Sequence, residues 1–107
     1  MRVELNEVIW FEQHVLSLPE LAEISHLPAT VLEELMDYGA IEPIRSASGE
    51  LRFGAAALRA ARAASRLRAD FELEAQALAV VLGLLDRVDE LHAQLRALQA
   101  RQPKSHR

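Results

Sequence analysis

Three carboxylates, Glu33, Glu34 and Asp37, together with Thr30, are the residues whose types and spacing could do chemistry. They fall at positions i, i+3, i+4 and i+7, so a helix would carry all four on one face. Adjacent carboxylates act as an acid–base pair only beside a histidine, a lysine or an aromatic pocket, and this stretch predicts no such pocket. The pattern therefore indicates a surface that binds cationic groups rather than a catalytic centre.

Other catalytic and metal-binding patterns are missing from the sequence. The four histidines, His14, His26, His92 and His106, lack the spacing of metal ligands, and there is no cysteine to supply a thiolate. No glycine-rich phosphate loop, HExxH motif or nucleophile elbow occurs. We therefore expect a protein that is not an enzyme and that has no catalytic residue, metal or cofactor.

Charge is divided unevenly along the chain. Between Val3 and Ile44 there are nine carboxylates and neither lysine nor arginine, whereas the net charge of the whole chain is −4. Between Arg45 and Ala69 the balance reverses, with six arginines against Glu50 alone. The acidic half should attract a basic protein surface. It should not attract nucleic acid, because binding to nucleic acid depends on lysine and arginine neutralising phosphates.

The N-terminal part of the sequence predicts an extended segment followed by a short helix. Residues 2–11 alternate at first and then become apolar, ending in Trp10 and Phe11, which are expected to pack onto the core. Ser17 and Glu20 have the spacing of a capping box, with a proline between them that suits the first turn of a helix. A helix should therefore begin there.

The acidic stretch predicts the second helix of a helix-turn-helix and is followed by a hairpin. Pro28 should open this helix, and Gly39 should end it in a left-handed conformation. Residues 40–53 predict two short strands around a turn rich in serine and glycine. The expected inward contacts of the hairpin are Ile41, Ile44, Leu51 and Phe53.

Two further helices are predicted in the C-terminal half. The first, at about 55–69, is rich in alanine and carries Arg59, Arg62 and Arg66 on one side, which we expect to be exposed or paired with the acidic half. The second, at about 72–101, has an apolar stripe at Leu78, Leu82 and Leu85 that should pack on its own domain. It also has a heptad seam of alternating spacing four and three, comprising Ala77, Val81, Leu84, Val88, Leu91, Leu95 and Leu98.

The C-terminal part of that seam, from Val88 onward, predicts a homodimer. Beyond Val88 the seam is narrow and needs a second helix to cover it, so we expect Val88, Leu91, Leu95 and Leu98 to form the dimer contact. The 107 residues accordingly divide into a winged helix-turn-helix domain at 1–70, a dimerisation helix at 71–102 and a disordered tail at 103–107. A chain this short gains from pairing, since it has a large surface for its volume.

The sequence also predicts where the protein resides. Its longest apolar run, residues 77–85, is too short to cross a bilayer, and the N-terminus lacks the pattern of a secretion signal. We therefore expect a cytoplasmic protein without a membrane partner.

The order of these elements resembles the MerR-type winged-helix architecture. The resemblance rests on "LEELMDYGAIEP" (32–43), the arginine-rich "LRAARAASRLRADFELE" (58–74) and "LLDRVDELHAQL" (84–95). Within that architecture the short acidic chain looks most like the CbpM chaperone modulators. The resemblance implies a mainly α fold with a small hairpin wing and a long C-terminal helix that pairs antiparallel with a second copy.

Departures from the DNA-binding MerR regulators affect the predicted partner. Glu33 and Glu34 stand where those regulators typically carry an arginine followed by a tyrosine, and Gly49 is followed by Glu50 and Leu51 instead of a phosphate-gripping tyrosine and arginine. Each replacement removes an attraction for phosphate. Sequence-specific binding to DNA would then require an unusual docking through the arginines of the wing and third helix, so a nucleic-acid partner is not expected.

The resemblance to the modulators implies a protein partner. Members of that family bind the J domain of the DnaJ-like co-chaperone CbpA and inhibit it, and the second helix of a J domain is rich in lysine and arginine. Blocking that helix would prevent Hsp70 from docking. The predicted contact residues are Glu33, Glu34, Asp37 and Thr30, with Glu20 and Glu23 as weaker candidates. Two alternatives stand beside this hypothesis: a simple solvated face, and a MerR-type transcriptional regulator.

Overall fold

The computed structural model describes residues 15–102. The predicted extended segment 2–11, His14, His106 and the tail 103–107 lie outside these residues. The described part contains four helices and one two-stranded sheet, which confirms the predicted mainly α winged helix-turn-helix with a long C-terminal helix. In chain order the elements are α1 (Leu18–Ser25), α2 (Ala29–Asp37), β1 (Ile44–Arg45), β2 (Leu51–Arg52), α3 (Ala55–Phe71) and α4 (Ala75–Arg101).

The predicted capping box fixes the start of α1. The Glu20 amide donates to the Ser17 hydroxyl at 3.3 Å, and the Ser17 amide donates to a Glu20 carboxylate oxygen at 2.8 Å. These two bonds satisfy amides that the first helical turn leaves without partners. At the other end His26 adopts a left-handed conformation with φ +62°. The chain turns there so that α2 can pack against α1.

The helix α2 ends where the sequence predicted. Gly39 has φ +80°, and the amide of Ala40 donates to the carbonyl of Leu35 at 2.8 Å. A Cβ added at Gly39 would meet no atom within 4 Å. Backbone conformation, not lack of space, is therefore what favours glycine at this position.

The wing is an antiparallel hairpin in which Ile44 pairs with Arg52 and Arg45 pairs with Leu51. Leu16 extends it through an isolated bridge to Phe53, with both backbone bonds at 2.8 Å. The prediction that Ile44 points inward is wrong, because its side chain is 52% exposed. Phe53 and Ile41 are buried instead, and Ile44 lies over Gly54 at the start of α3.

The core joins the helix-turn-helix to α3 and the first half of α4. Leu32 and Leu35 of α2 and Leu78 of α4 are fully buried, and α4 packs against both α2 and α3. The alanines Ala61 and Ala64 of α3 are also fully buried, and their small side chains let neighbouring helices approach closely. The predicted apolar stripe of α4 is buried at Leu78 and Leu82, whereas its third member, Leu85, is 45% exposed.

The fourth helix begins later than the sequence predicted. Glu72 is left-handed, with φ +54°, and closes α3 by donating its amide to the Arg68 carbonyl at 2.9 Å. Helix α4 starts at Ala75, so residues 72–74 are a connection rather than a first helical turn. The predicted helix start at about 72 is wrong, and the sequence offered no glycine or proline to mark the break.

Candidate partner-binding surface

The outward face of α2 carries all four residues of the predicted acidic group. Thr30, Glu33, Glu34 and Asp37 are exposed, while Leu32 and Leu35 on the opposite side are fully buried. The 3.6-residue period of the helix produces this division. The structure thus gives α2 an accessible surface with three carboxylates.

Glu34 differs from the other members of the group because it also borders a groove. With Val31 and Tyr38 it lines a depression between α2 and the connection from α3 to α4. Successive residues of an α-helix are rotated by about 100° around its axis. Around the axis of α2, Glu34 therefore lies between the side that carries Thr30 and Asp37 and the side that carries Val31 and Tyr38. It therefore stands on the edge shared by the acidic α2 face and the groove.

The two weaker candidates on α1 differ in their surroundings. Glu23 is exposed. Glu20 is exposed too, but one of its carboxylate oxygens accepts the capping bond from the Ser17 amide. This bond, the Ser17 hydroxyl and the charge of Arg52 lower the pKa of the Glu20 carboxyl from its ordinary value. Glu20 therefore has a structural role in addition to the contact predicted for it.

The sequence did not single out Tyr38, Glu72 or Glu74 as residues of this surface. Tyr38 is 53% exposed, and it lines the groove together with Glu72 and Glu74. The last helix was predicted to begin at about residue 72, so both glutamates fell within it and no separate connection was expected. The alternation of charged and apolar residues in "DFELE" (70–74) was the available signal for an extended connection.

A family comparison assigns this architecture. Residues 16–100 match the sequence model described as MerR HTH family regulatory protein. The chain is also 30% identical over 84 residues to the chaperone modulatory protein CbpM of Coxiella burnetii strains Dugway 5J108-111, RSA 331 / Henzerling II and CbuG_Q212, covering 78% of this chain and 79% of each relative. The chain belongs to the CbpM family. The predicted family and its MerR-like fold are thereby confirmed.

In this CbpM-family chain α2 carries no arginine, and the exposed arginines lie on the wing, on α3 and on α4. Arg45, Arg59 and Arg66 are exposed, and Arg62 is partly buried. Arg52 is bound to Glu50 within the wing at 2.5 Å. The prediction of exposed arginines on α3 therefore holds for Arg59 and Arg66. Arg62 is partly buried rather than fully exposed, and the alternative predicted for it, pairing with the acidic half, stays a prediction.

The second half of α4 presents the predicted seam to solvent. Val88, Leu91, Leu95 and Leu98 are between 45% and 54% exposed, and Leu84 is 61% exposed. These residues lie on one stripe of the helix because they alternate at spacings of three and four. These large apolar side chains form an exposed stripe along the second half of α4.

Residues 15–102 contain neither a metal-binding cluster nor a membrane-spanning helix. No group of three or more histidine or carboxylate side chains in this range could hold a metal ion. None of its helices is long and apolar enough to cross a membrane.

Proposed function

We propose that this chain is a non-enzymatic regulator that binds the J domain of a DnaJ- or CbpA-like co-chaperone and inhibits its stimulation of Hsp70. The observation that carries the proposal is the exposed carboxylate pair Glu33 and Asp37 beside Thr30, on the helix where a MerR-type regulator presents its DNA-reading residues. The similarity to CbpM supplies the class of partner. A regulator of this kind would act in the cytoplasm.

Electrostatics favours a cationic protein over DNA as the partner of α2. Residues 15–44 contain no lysine or arginine, so α2 itself offers no charge to neutralise a phosphate, and Arg68 of α3 is the one guanidinium that lines the groove beside it. A basic helix would instead be attracted and oriented by the same carboxylates. Glu34 and, more weakly, Glu20 and Glu23 complete the proposed contact.

A second candidate is a MerR-type regulator that binds DNA. The family description and the exposed Arg45, Arg59 and Arg66 favour it. Those arginines belong to the wing and α3, so docking would have to proceed without a contact from α2. Binding to duplex DNA is therefore an outcome that the experiment below must measure.

We also propose that the active form is a homodimer joined through α4. The half-exposed Val88, Leu91, Leu95 and Leu98 would pack against the same stripe of a second copy. In an antiparallel arrangement that places Val88 opposite Leu91, Leu84 would lie opposite Leu95. Leu98 would lie opposite Val81 in the same register.

Charge reversal on α2 tests the proposed partner. The double variant Glu33→Lys/Asp37→Lys should bind a J domain at least about tenfold more weakly at low salt, because two attractions become repulsions. It should lose inhibition of J-domain-stimulated Hsp70 ATPase activity in parallel. The matched control is Asp86→Lys/Asp89→Lys, which makes the same charge change at exposed positions of α4.

Isothermal titration with the J domain and a mobility shift with random duplex DNA should be run on the same samples. Unchanged J-domain affinity in the α2 variant would show that this face is not the contact. Tight retention of duplex DNA by the wild-type chain at physiological salt, without J-domain binding, would favour the transcriptional regulator.

A further inference from the structure

The groove between α2 and the α3–α4 connection has the size of a helix-binding site. Its volume is about 810 Å³. Two turns of an α-helix, about 10 Å across and about 11 Å long, occupy about 850 Å³. One bank is formed by Val31 and Glu34 of α2 and by Tyr38, which directly follows that helix. The other bank includes Glu72, Leu73 and Glu74 of the connection. Val31 and Leu73 are partly buried and contribute apolar side chains to a lining that is otherwise largely polar.

The rim of the groove is acidic. Glu34 lies on the α2 bank, and Glu72 and Glu74 lie on the opposite bank. The groove thus has three carboxylates and one guanidinium, that of Arg68. Within residues 15–102, neither a hydrogen bond nor an ion pair engages these three carboxylates. Carboxylates on both banks of a groove that also exposes the apolar side chains Val31 and Leu73 suit an amphipathic helix with lysine or arginine along its edges.

Tyr38 provides a large aromatic contact at this groove. Its amide donates to the Glu34 carbonyl at 3.0 Å, which fixes the backbone at the end of α2, while 53% of the residue remains exposed. Tyrosine is enriched among residues that dominate binding energy, because it combines large contact area with few rotatable bonds. The ring is therefore accessible at the edge of the groove on a backbone that the end of α2 fixes.

We infer that the groove receives a basic amphipathic helix of the partner protein, with Tyr38 against its apolar side and Glu34, Glu72 and Glu74 against its cationic side chains. This inference rests on the proposed function and deepens it, since it extends the contact from the acidic α2 face across Glu34 to the α3–α4 connection. Tyr38 sets the affinity, and the glutamates of the connection set the orientation of the helix.

Substitutions on each bank test the inference with two probes. The probes are a J domain and a synthetic 18-residue amphipathic helix of lysine and leucine. Tyr38→Ala should weaken binding of both at least about tenfold, whereas Tyr38→Phe should stay within about twofold. Glu72→Gln/Glu74→Gln should weaken both about threefold at low salt and less at high salt.

Two matched controls separate the groove from general effects. Phe71→Ala removes an aromatic side chain that is 65% exposed but does not line the groove. Asp86→Asn/Asp89→Asn removes two exposed charges from α4. Both controls should bind both probes like the wild-type chain, and circular dichroism should show the same helix content in every variant.

The two probes distinguish the possible failures. J-domain binding that survives Tyr38→Ala and Glu72→Gln/Glu74→Gln would overturn the groove while leaving the proposed function intact. Peptide binding that depends on Tyr38, without any J-domain binding, would support the groove and overturn the proposed partner. A wild-type chain that binds neither probe would refute both.

Discussion

The exposed stripe of α4 allows the strength of the proposed dimer to be worked out. Leu84, Val88, Leu91, Leu95 and Leu98 are each about half exposed. Complete burial of such a side chain is worth about 1.5–3 kcal/mol, so covering the exposed half gives about 1 kcal/mol for each. Ten side chains in two copies give roughly 10 kcal/mol before the cost of association, which is at least about 4 kcal/mol.

Replacing Leu91 and Leu95 with aspartate should therefore abolish the dimer. The change removes four of the ten contributions, about 4 kcal/mol, which corresponds to roughly a thousandfold weaker association. Desolvation of the new carboxylates adds to this loss. A net association energy of about 6 kcal/mol for the wild-type chain corresponds to a Kd of roughly 40 µM. Sedimentation velocity at about 20–100 µM protein should therefore show a wild-type chain whose dimer fraction rises with concentration and a variant that stays monomeric.

A control with the same charge change identifies the stripe as the cause. Ala93 and Ala97 are exposed on the opposite side of α4, so Ala93→Asp/Ala97→Asp places two aspartates in the same helix away from the stripe. This variant should remain dimeric. The reasoning would be refuted by an unaltered dimer in Leu91→Asp/Leu95→Asp, or by a wild-type chain that is monomeric at 100 µM.

Two further predictions concern stability and use urea denaturation. Ser17→Ala should lower the free energy of unfolding by about 1 kcal/mol through loss of the α1 cap. The folded-state pKa of Glu20 is depressed, so its contribution should be present above the ordinary value of 4.5 and be lost as pH falls below it, a dependence that Glu20→Gln should remove. Gly39→Ala should destabilise by about 1–2 kcal/mol because φ is +80° there, whereas Gly83→Ala, in open space within α4, should stabilise by up to about 1 kcal/mol. Equal signs for the two glycine variants, or a pH profile unchanged by Glu20→Gln, would contradict these assignments.

Local signals in the sequence predicted much of the fold. The Ser17–Glu20 spacing, the glycine at 39 and the 3.6-residue period of α2 each follow from short-range chemistry, and the structure contains all three. The apolar stripe through Leu78 and Leu82 was similarly readable, since both side chains are buried. Such features need no knowledge of distant contacts.

Features that depend on tertiary contacts could not be predicted from the sequence. Four apolar residues of the hairpin were expected to point inward, and Ile41 and Phe53 are buried as predicted, whereas Ile44 is 52% exposed. The break at Glu72 lies inside a continuous apolar pattern and depends on a left-handed residue that is neither glycine nor asparagine. The groove beside Tyr38 exists only because that break turns the chain back toward α2.

The exposed end of α4 has a consequence for how order is distributed in this molecule. Residues 90–101 form twelve helical positions that are all exposed, and an isolated helix of about 12–15 residues is only marginally stable in water. These last turns therefore depend on the anchored first half of α4 for nucleation, and fraying should proceed inward from Arg101. Pairing with α4 of a second copy would suppress that fraying. Amide hydrogens in these turns would then exchange more slowly as protein concentration rises.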